Sequence, residues 1–167
     1  MKKTYLILIV IVAVFTMIAC ESETTEDITK AEIIRVSGCN DFTSGSGIAV
    51  ETGDSASVSY IYDGGKQTLS LIHVNAAFNC CPQNVSAEFS IVDNVISISE
   101  YEEGGDCDCE CLYDFDYLVK NIRPEQYQIK IFEPLLSSKD EPFDFMIDLS
   151  KSSEGRIVLD RTSYPWN

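Results

Sequence analysis

Six cysteines hold the densest chemistry of the chain: Cys39, the adjacent Cys80 and Cys81, and the alternating Cys107, Cys109 and Cys111. A seventh, Cys20, stands apart at the end of an apolar N-terminal run. Sulfur in this amount cross-links, ligates a soft metal or exchanges electrons. An even set of cysteines in an exported chain reads as disulfides. Adjacent Cys80 and Cys81 can bond each other only through a strained ring, and in a strand they point to opposite faces. In an extended segment Cys107, Cys109 and Cys111 face one way. Their Cβ atoms then lie roughly 7 Å apart at a rise of about 3.3 Å per residue, beyond the usual bridging separation. Six cysteines allow fifteen connectivities. The simplest joins Cys39 and the Cys80-Cys81 pair to the Cys107–Cys111 segment.

A thiolate metal cluster of the metallothionein kind is the rival reading. Structural zinc sites favour C-x₂₋₄-C spacing, which is absent. A thiol redox catalyst would need C-x-x-C at a helix start, also absent. Disulfides remain the expectation, with no metal and no cofactor assigned. The chain outside the leader has one histidine, His73, inside an apolar strand pattern, where a structural role is expected. No G-x-S-x-G, H-E-x-x-H or phosphate-cradling loop is present. Gly45-Ser46-Gly47 leads into no helix and reads as a flexible loop. The acidic turn Glu102-Glu103-Gly104-Gly105-Asp106-Cys107-Asp108 has oxygen ligands for calcium but not EF-hand spacing, so a solvated turn is expected. No catalytic residue is assigned, and the chain reads as a non-enzyme.

The chain begins Met1-Lys2-Lys3, runs apolar from Tyr5 to Ile18, and turns acidic at Glu21-Ser22-Glu23. A basic start, an apolar stretch and a small residue at the cut make an export signal. The run is short for a membrane span, which needs about 20 apolar residues. Ala19-Cys20 resembles the lipobox of bacterial lipoproteins. That resemblance implies residues 1–19 as signal peptide, Cys20 as the lipidated N-terminus, residues 20–29 as an acidic tether and 30–167 as one domain. The acids after Cys20 are similar to the surface-export signals of Bacteroidota-type lipoproteins. They imply a cell-envelope, outer-membrane lipoprotein exposed on the surface, with the membrane as partner through its N-terminal lipid.

The formal charge is −15, and cleavage at Cys20 removes Lys2 and Lys3 and no acid, giving −17. Nucleic acid is excluded as a partner, because its phosphates need a basic patch. Acidity of this order accompanies disorder when aromatics are few. Eight tyrosines, eight phenylalanines and one tryptophan argue for a packed core instead.

The elements that position these residues read as strands throughout. Strands are expected over 28–37, 48–51, 57–62, 67–75, 85–92, 95–101, 109–120, 126–133, 143–149 and 156–160. Asp63-Gly64-Gly65-Lys66 and Asp93-Asn94 mark hairpins. Residues 76–84 read as a loop, and a short helical turn is expected over 134–138. Trp166 is expected to fold back as a plug. Strands this short and regular predict an all-β antiparallel sandwich or partly open barrel, stapled by disulfides.

Cys111-Leu112-Tyr113-Asp114-Phe115-Asp116-Tyr117, followed by Ile122-Arg123-Pro124-Glu125-Gln126-Tyr127-Gln128-Ile129, resembles the strand–turn–strand of immunoglobulin-like domains. The whole cysteine array is similar to small Bacteroidota-type lipoproteins, a likeness that implies a fold and no chemistry. Together these features read as a lipid-anchored module that binds an extracellular protein or glycan. A glycan would need exposed rings, with Tyr60, Tyr62 and Tyr101 as candidates. Two other readings remain: an inhibitor or immunity-type lipoprotein, and a thiolate metal-binding protein.

Overall fold

Alternation of apolar and polar residues makes each strand two-faced, and two such sheets bury their apolar faces on each other. A computed structural model of the chain describes residues 29–39, 55–105, 107–163 and 165. Among them are nine strands: β1 (Lys30–Val36), β2 (Ser55–Asp63), β3 (Thr68–Asn79), β4 (Asn84–Val92), β5 (Val95–Glu103), β6 (Glu110–Lys120), β7 (Gln126–Phe132), β8 (Phe143–Asp148) and β9 (Glu154–Asp160). No helix occurs among the described residues. Cys20, the expected strand at 48–51, Gly45-Ser46-Gly47, Asp106 and Trp166 lie outside them.

The strands form a five-stranded sheet, β1-β6-β3-β2-β9, and a four-stranded sheet, β4-β5-β7-β8. Neither closes into a barrel. The core is the inward phase of each strand: Leu69 and Leu71, Ile96 and Ile98, Phe115 and Val119, Ile129 and Ile131 are all fully buried. Gly155 on β9 passes so near the Tyr60 ring that a Cβ there would meet it at 2.5 Å.

The two expected hairpins are present. Asp63 Oδ1 accepts the N–H groups of Gly65 (3.0 Å) and Lys66 (3.1 Å), closing the β2–β3 turn. Val92 pairs with Val95, and the two residues between them have positive φ, 51° at Asp93 and 60° at Asn94. This is the primed turn whose twist matches that of the flanking strands.

Three features depart from the expected pattern. β5 and β7 pair in parallel, not antiparallel. The chain leaves β5, runs back along β6 in the other sheet, and returns beside β5 with its direction restored. β3 extends through Asn79 where a loop was expected. The pairing of β3 with β6 slips between His73 and Ala76, where Asn75 takes φ 64°. Asparagine tolerates this left-handed conformation. Its side chain donates to Ser55 O (2.8 Å) and its N–H to Asp114 Oδ1 (3.1 Å). The strand thus resumes in a new phase, and Ala76, Ala77 and Phe78 are all fully buried. Residues 134–138 form turns and no helix. Leu135 and Leu136 pack on Ala77 and Leu112.

Strand direction gives the sandwich two poles. Thr29, the hairpin turns at 64–67 and 93–94, the 121–125 turn and the 149–153 turn gather at the pole where β1 begins. Cys39, the 80–83 and 104–109 segments and the 133–142 connection gather at the other.

Candidate functional site

Two assemblies contain groups with chemical potential. The first lies at the pole remote from Thr29. Cys39 bonds Cys111, Cys80 bonds Cys109, and Cys81 bonds Cys107, with Cα separations of 5.6, 5.6 and 6.1 Å. This is the expected solution, with the adjacent pair and Cys39 each taking one sulfur of the alternating segment. The cause is the ladder itself. Phe78 pairs with Cys111 and Asn79 with Glu110, which brings the end of β3 to the start of β6. Cys80 N–H then donates to Cys109 O at 3.1 Å. Asn79 acts as a clamp: Nδ2 donates to Cys107 O (2.8 Å), and Oδ1 accepts Cys81 N–H (3.0 Å).

Beside the bridges lies a cleft of about 210 Å³ lined by Asn79, Glu102, Cys107, Asp108, Cys109, Glu110 and Leu135. Glu102 Oε2 accepts Asn79 N–H at 2.7 Å. Partial burial and the neighbouring Glu102 charge push the Glu110 carboxyl up. Burial and the same charge raise the Tyr113 phenol.

The second assembly lies between the sheets, and only one of its members, His73, stands out in the sequence. His73 on β3 and Tyr117 on β6 come from one sheet. Glu100 on β5 and Glu133 just past β7 come from the other. Arg161 follows β9. His73 Nδ1 and Glu100 Oε1 lie 2.7 Å apart, and the Tyr117 hydroxyl donates to the same oxygen at 2.5 Å. His73 Nε2 is 4.0 Å from Glu133 Oε1, which accepts from Arg161 NH2 at 2.5 Å. Arg161 NH1 donates to Glu141 O (2.6 Å), and the guanidinium lies over the Phe143 ring at 5.2 Å. The four charged side chains His73, Glu100, Glu133 and Arg161 are 0% exposed.

Burial by itself lowers the His73 pKa. The charge and hydrogen bond of Glu100, helped by Glu133, more than offset this and raise it. Burial raises the Glu133 carboxyl against the opposing pull of His73 and Arg161. Burial and the Glu100 charge raise Tyr117 far beyond the ordinary phenol. With His73 protonated, two cations face two carboxylates and the cluster is neutral overall. A histidine between carboxylates could shuttle protons. This one is 0% exposed, and the bonds of His73 and Tyr117 to Glu100 join one sheet to the other, the arrangement of an inter-sheet clamp.

Of the candidate glycan-facing rings, Tyr60 and Tyr62 are 8% exposed and belong to the core, whereas Tyr101 is 44% exposed. Tyr101 lies on the outward face of β5. Phe132, 50% exposed, lies on the neighbouring strand opposite Ser99. Glu100, Glu133 and Arg161 were not singled out in the sequence, although Glu100 and Glu133 continue the inward phase of Ile96-Ile98 and Ile129-Ile131. The chain matches no protein-family model, and no curated protein or solved structure is a match for it.

Proposed function

We propose that this chain is a non-catalytic, lipid-anchored binding module of the cell envelope. Cys20 would be its lipidated residue, and the outer-membrane surface its location. The observation that carries the reading is the gathering of all three bridges at the pole opposite Thr29. From Cys20 to Thr29 the tether spans at most about 30 Å. The twelve residues of β3 add roughly 40 Å at about 3.3 Å each. In this reading Thr29 marks the anchored pole, and the stapled pole stands at the far end of β3, where three bridges cross-link its loops. Rigid loops bind at lower entropic cost than mobile ones. The sealing of the one histidine of the mature chain supports a binding role over turnover.

The partner is an extracellular protein or glycan. A glycan would stack on the outward Tyr101–Phe132 face, since Tyr60 and Tyr62 are closed off. A second reading, an inhibitor or immunity-type lipoprotein, draws on the net charge of −17 of the chain from Cys20, which would steer a basic target enzyme. A resting thiolate metal site is disfavoured because all six sulfurs are bonded in pairs.

The test is expression of the full chain in a lipoprotein-processing bacterium, with Cys20→Ser alongside. The full chain should partition with membranes and be labelled by fatty acid, and Cys20→Ser should do neither. Surface cross-linking should capture a partner that Glu102→Gln/Glu110→Gln or Tyr101→Ser weakens. Turnover of glycoside or peptide substrates by purified protein would overturn the binding reading.

A further inference from the structure

Three of the six bridged sulfurs form one group, and a fourth is bonded to it. The Sγ atoms of Cys80, Cys81 and Cys107 lie within 4.8 Å of one another. Cys109 Sγ is bonded to that of Cys80 and adjoins the group, more than 4.8 Å from at least one of its other two sulfurs. Cys81, Cys107 and Cys109 are exposed and Cys80 is half-buried. The third bridge differs, because Cys111 is 7% exposed. Its partner Cys39 is exposed, so each of the three bridges offers solvent at least one accessible sulfur.

The backbone that gathers these sulfurs does not depend on the sulfur–sulfur bonds. The Asn79–Glu110 pairing, the Cys80-to-Cys109 backbone hydrogen bond and both arms of the Asn79 clamp involve no sulfur. Gln83 N–H also donates to Glu103 O at 2.8 Å, fixing the other arm. Opening the two bridges thus leaves four thiols side by side.

A tetrathiolate zinc centre has Zn–S distances of about 2.3 Å in tetrahedral geometry, which places its sulfurs about 3.8 Å apart. The three grouped sulfurs, already within 4.8 Å, reach that spacing by moving about 1 Å, and Cys109 Sγ, released from Cys80, moves outward from that sulfur to supply the fourth ligand. We propose that Cys80, Cys81, Cys107 and Cys109 form a masked soft-metal site that takes one divalent zinc-like cation once both bridges are reduced. Each disulfide accepts two electrons and two protons from a dithiol, which itself closes to a disulfide. The four thiols then lose four protons as they bind one dication, leaving a centre of charge −2. Glu102, Asp108 and Glu110 ring the adjoining cleft and draw the cation in. Metal uptake in this scheme reports the redox state of the pole, independently of whether the module binds a partner.

The test uses the purified, oxidised full chain. A phosphine opens bridges, becoming phosphine oxide with oxygen from water, and the two-bridge-open form is identified by thiol counting as a gain of four thiols over the oxidised chain. Cadmium ions alone are then titrated. Sulfur-to-cadmium charge-transfer absorption and elemental analysis should give one metal per chain in the four-thiol form and none in the oxidised form. Cys39→Ser/Cys111→Ser should keep that stoichiometry, and Cys81→Ser/Cys107→Ser should lose it. Uptake by the oxidised chain, no uptake by the four-thiol form, or retention in Cys81→Ser/Cys107→Ser would overturn the proposal. So would loss of the strand signal in circular dichroism on forming four thiols, because the scaffold is argued to stand without these bridges.

Discussion

Replacing Arg161 by Met tests the inter-sheet clamp most directly. Met keeps much of the length and removes the charge. Arg161 and Glu133 are both 0% exposed, so the carboxylate loses a cation that water cannot replace. Its remaining cationic neighbour is His73 Nε2, 4.0 Å away. Breaking a buried ion pair by removing one partner costs about 3–5 kcal/mol. Loss of the bond to Glu141 O and of the Phe143 contact acts in the same direction. Domains of this size hold about 5–15 kcal/mol in total. The substitution thus removes a large share and lowers Tm by roughly 10–20 °C. Urea unfolding followed by circular dichroism, with disulfides intact, measures it. Adding Glu133→Gln removes the stranded charge, and the double variant should recover about 1–3 kcal/mol relative to additivity. A loss below about 1 kcal/mol for Arg161→Met, or an additive cycle, would refute the clamp.

The same cluster sets a pH dependence. The folded pKa of His73 lies above its unfolded value, so its contribution is complete below the unfolded value of about 6.5 and fades as pH rises through the folded one. Glu133 is also raised and acts in the same direction, because its protonated form favours the fold. Unfolding free energy should therefore fall as pH climbs from neutral, and Tyr117→Phe should leave that slope in place. Gly155→Ala should cost about 1–3 kcal/mol in urea unfolding, because its Cβ would meet Tyr60 at 2.5 Å. Asn94→Val puts a branched side chain at φ 60° and should cost about 1–2 kcal/mol, whereas Asn94→Gly should be close to neutral. Cys39→Ser/Cys111→Ser opens a bridge of sequence separation 72, which on loop entropy alone is worth about 4 kcal/mol. A Tm unchanged by that pair would show the other two bridges already restrain the unfolded chain.

The residue pattern alone indicated most of the strands, both hairpin turns and, as the simplest solution, that Cys39 and the Cys80-Cys81 pair join the CxCxC segment, because each rests on local rules. Side chains alternate along a strand, Asp-Asn tolerates positive φ, and neighbouring cysteines cannot bridge each other without strain. Tertiary structure alone decided the parallel β5–β7 pair, since direction within a sheet depends on where the intervening β6 is placed. It also decided the run of β3 beyond Asn75, where one left-handed residue restarts the strand in a new phase. The ionic cluster lay between these cases. Glu100 and Glu133 sit in the inward phase of apolar strands, so their burial was legible from position. Their partners were not, because His73, Glu133 and Arg161 are far apart in the chain and meet only when one sheet closes over the other. A buried carboxylate must find a cation to remain charged, and that search takes place in three dimensions.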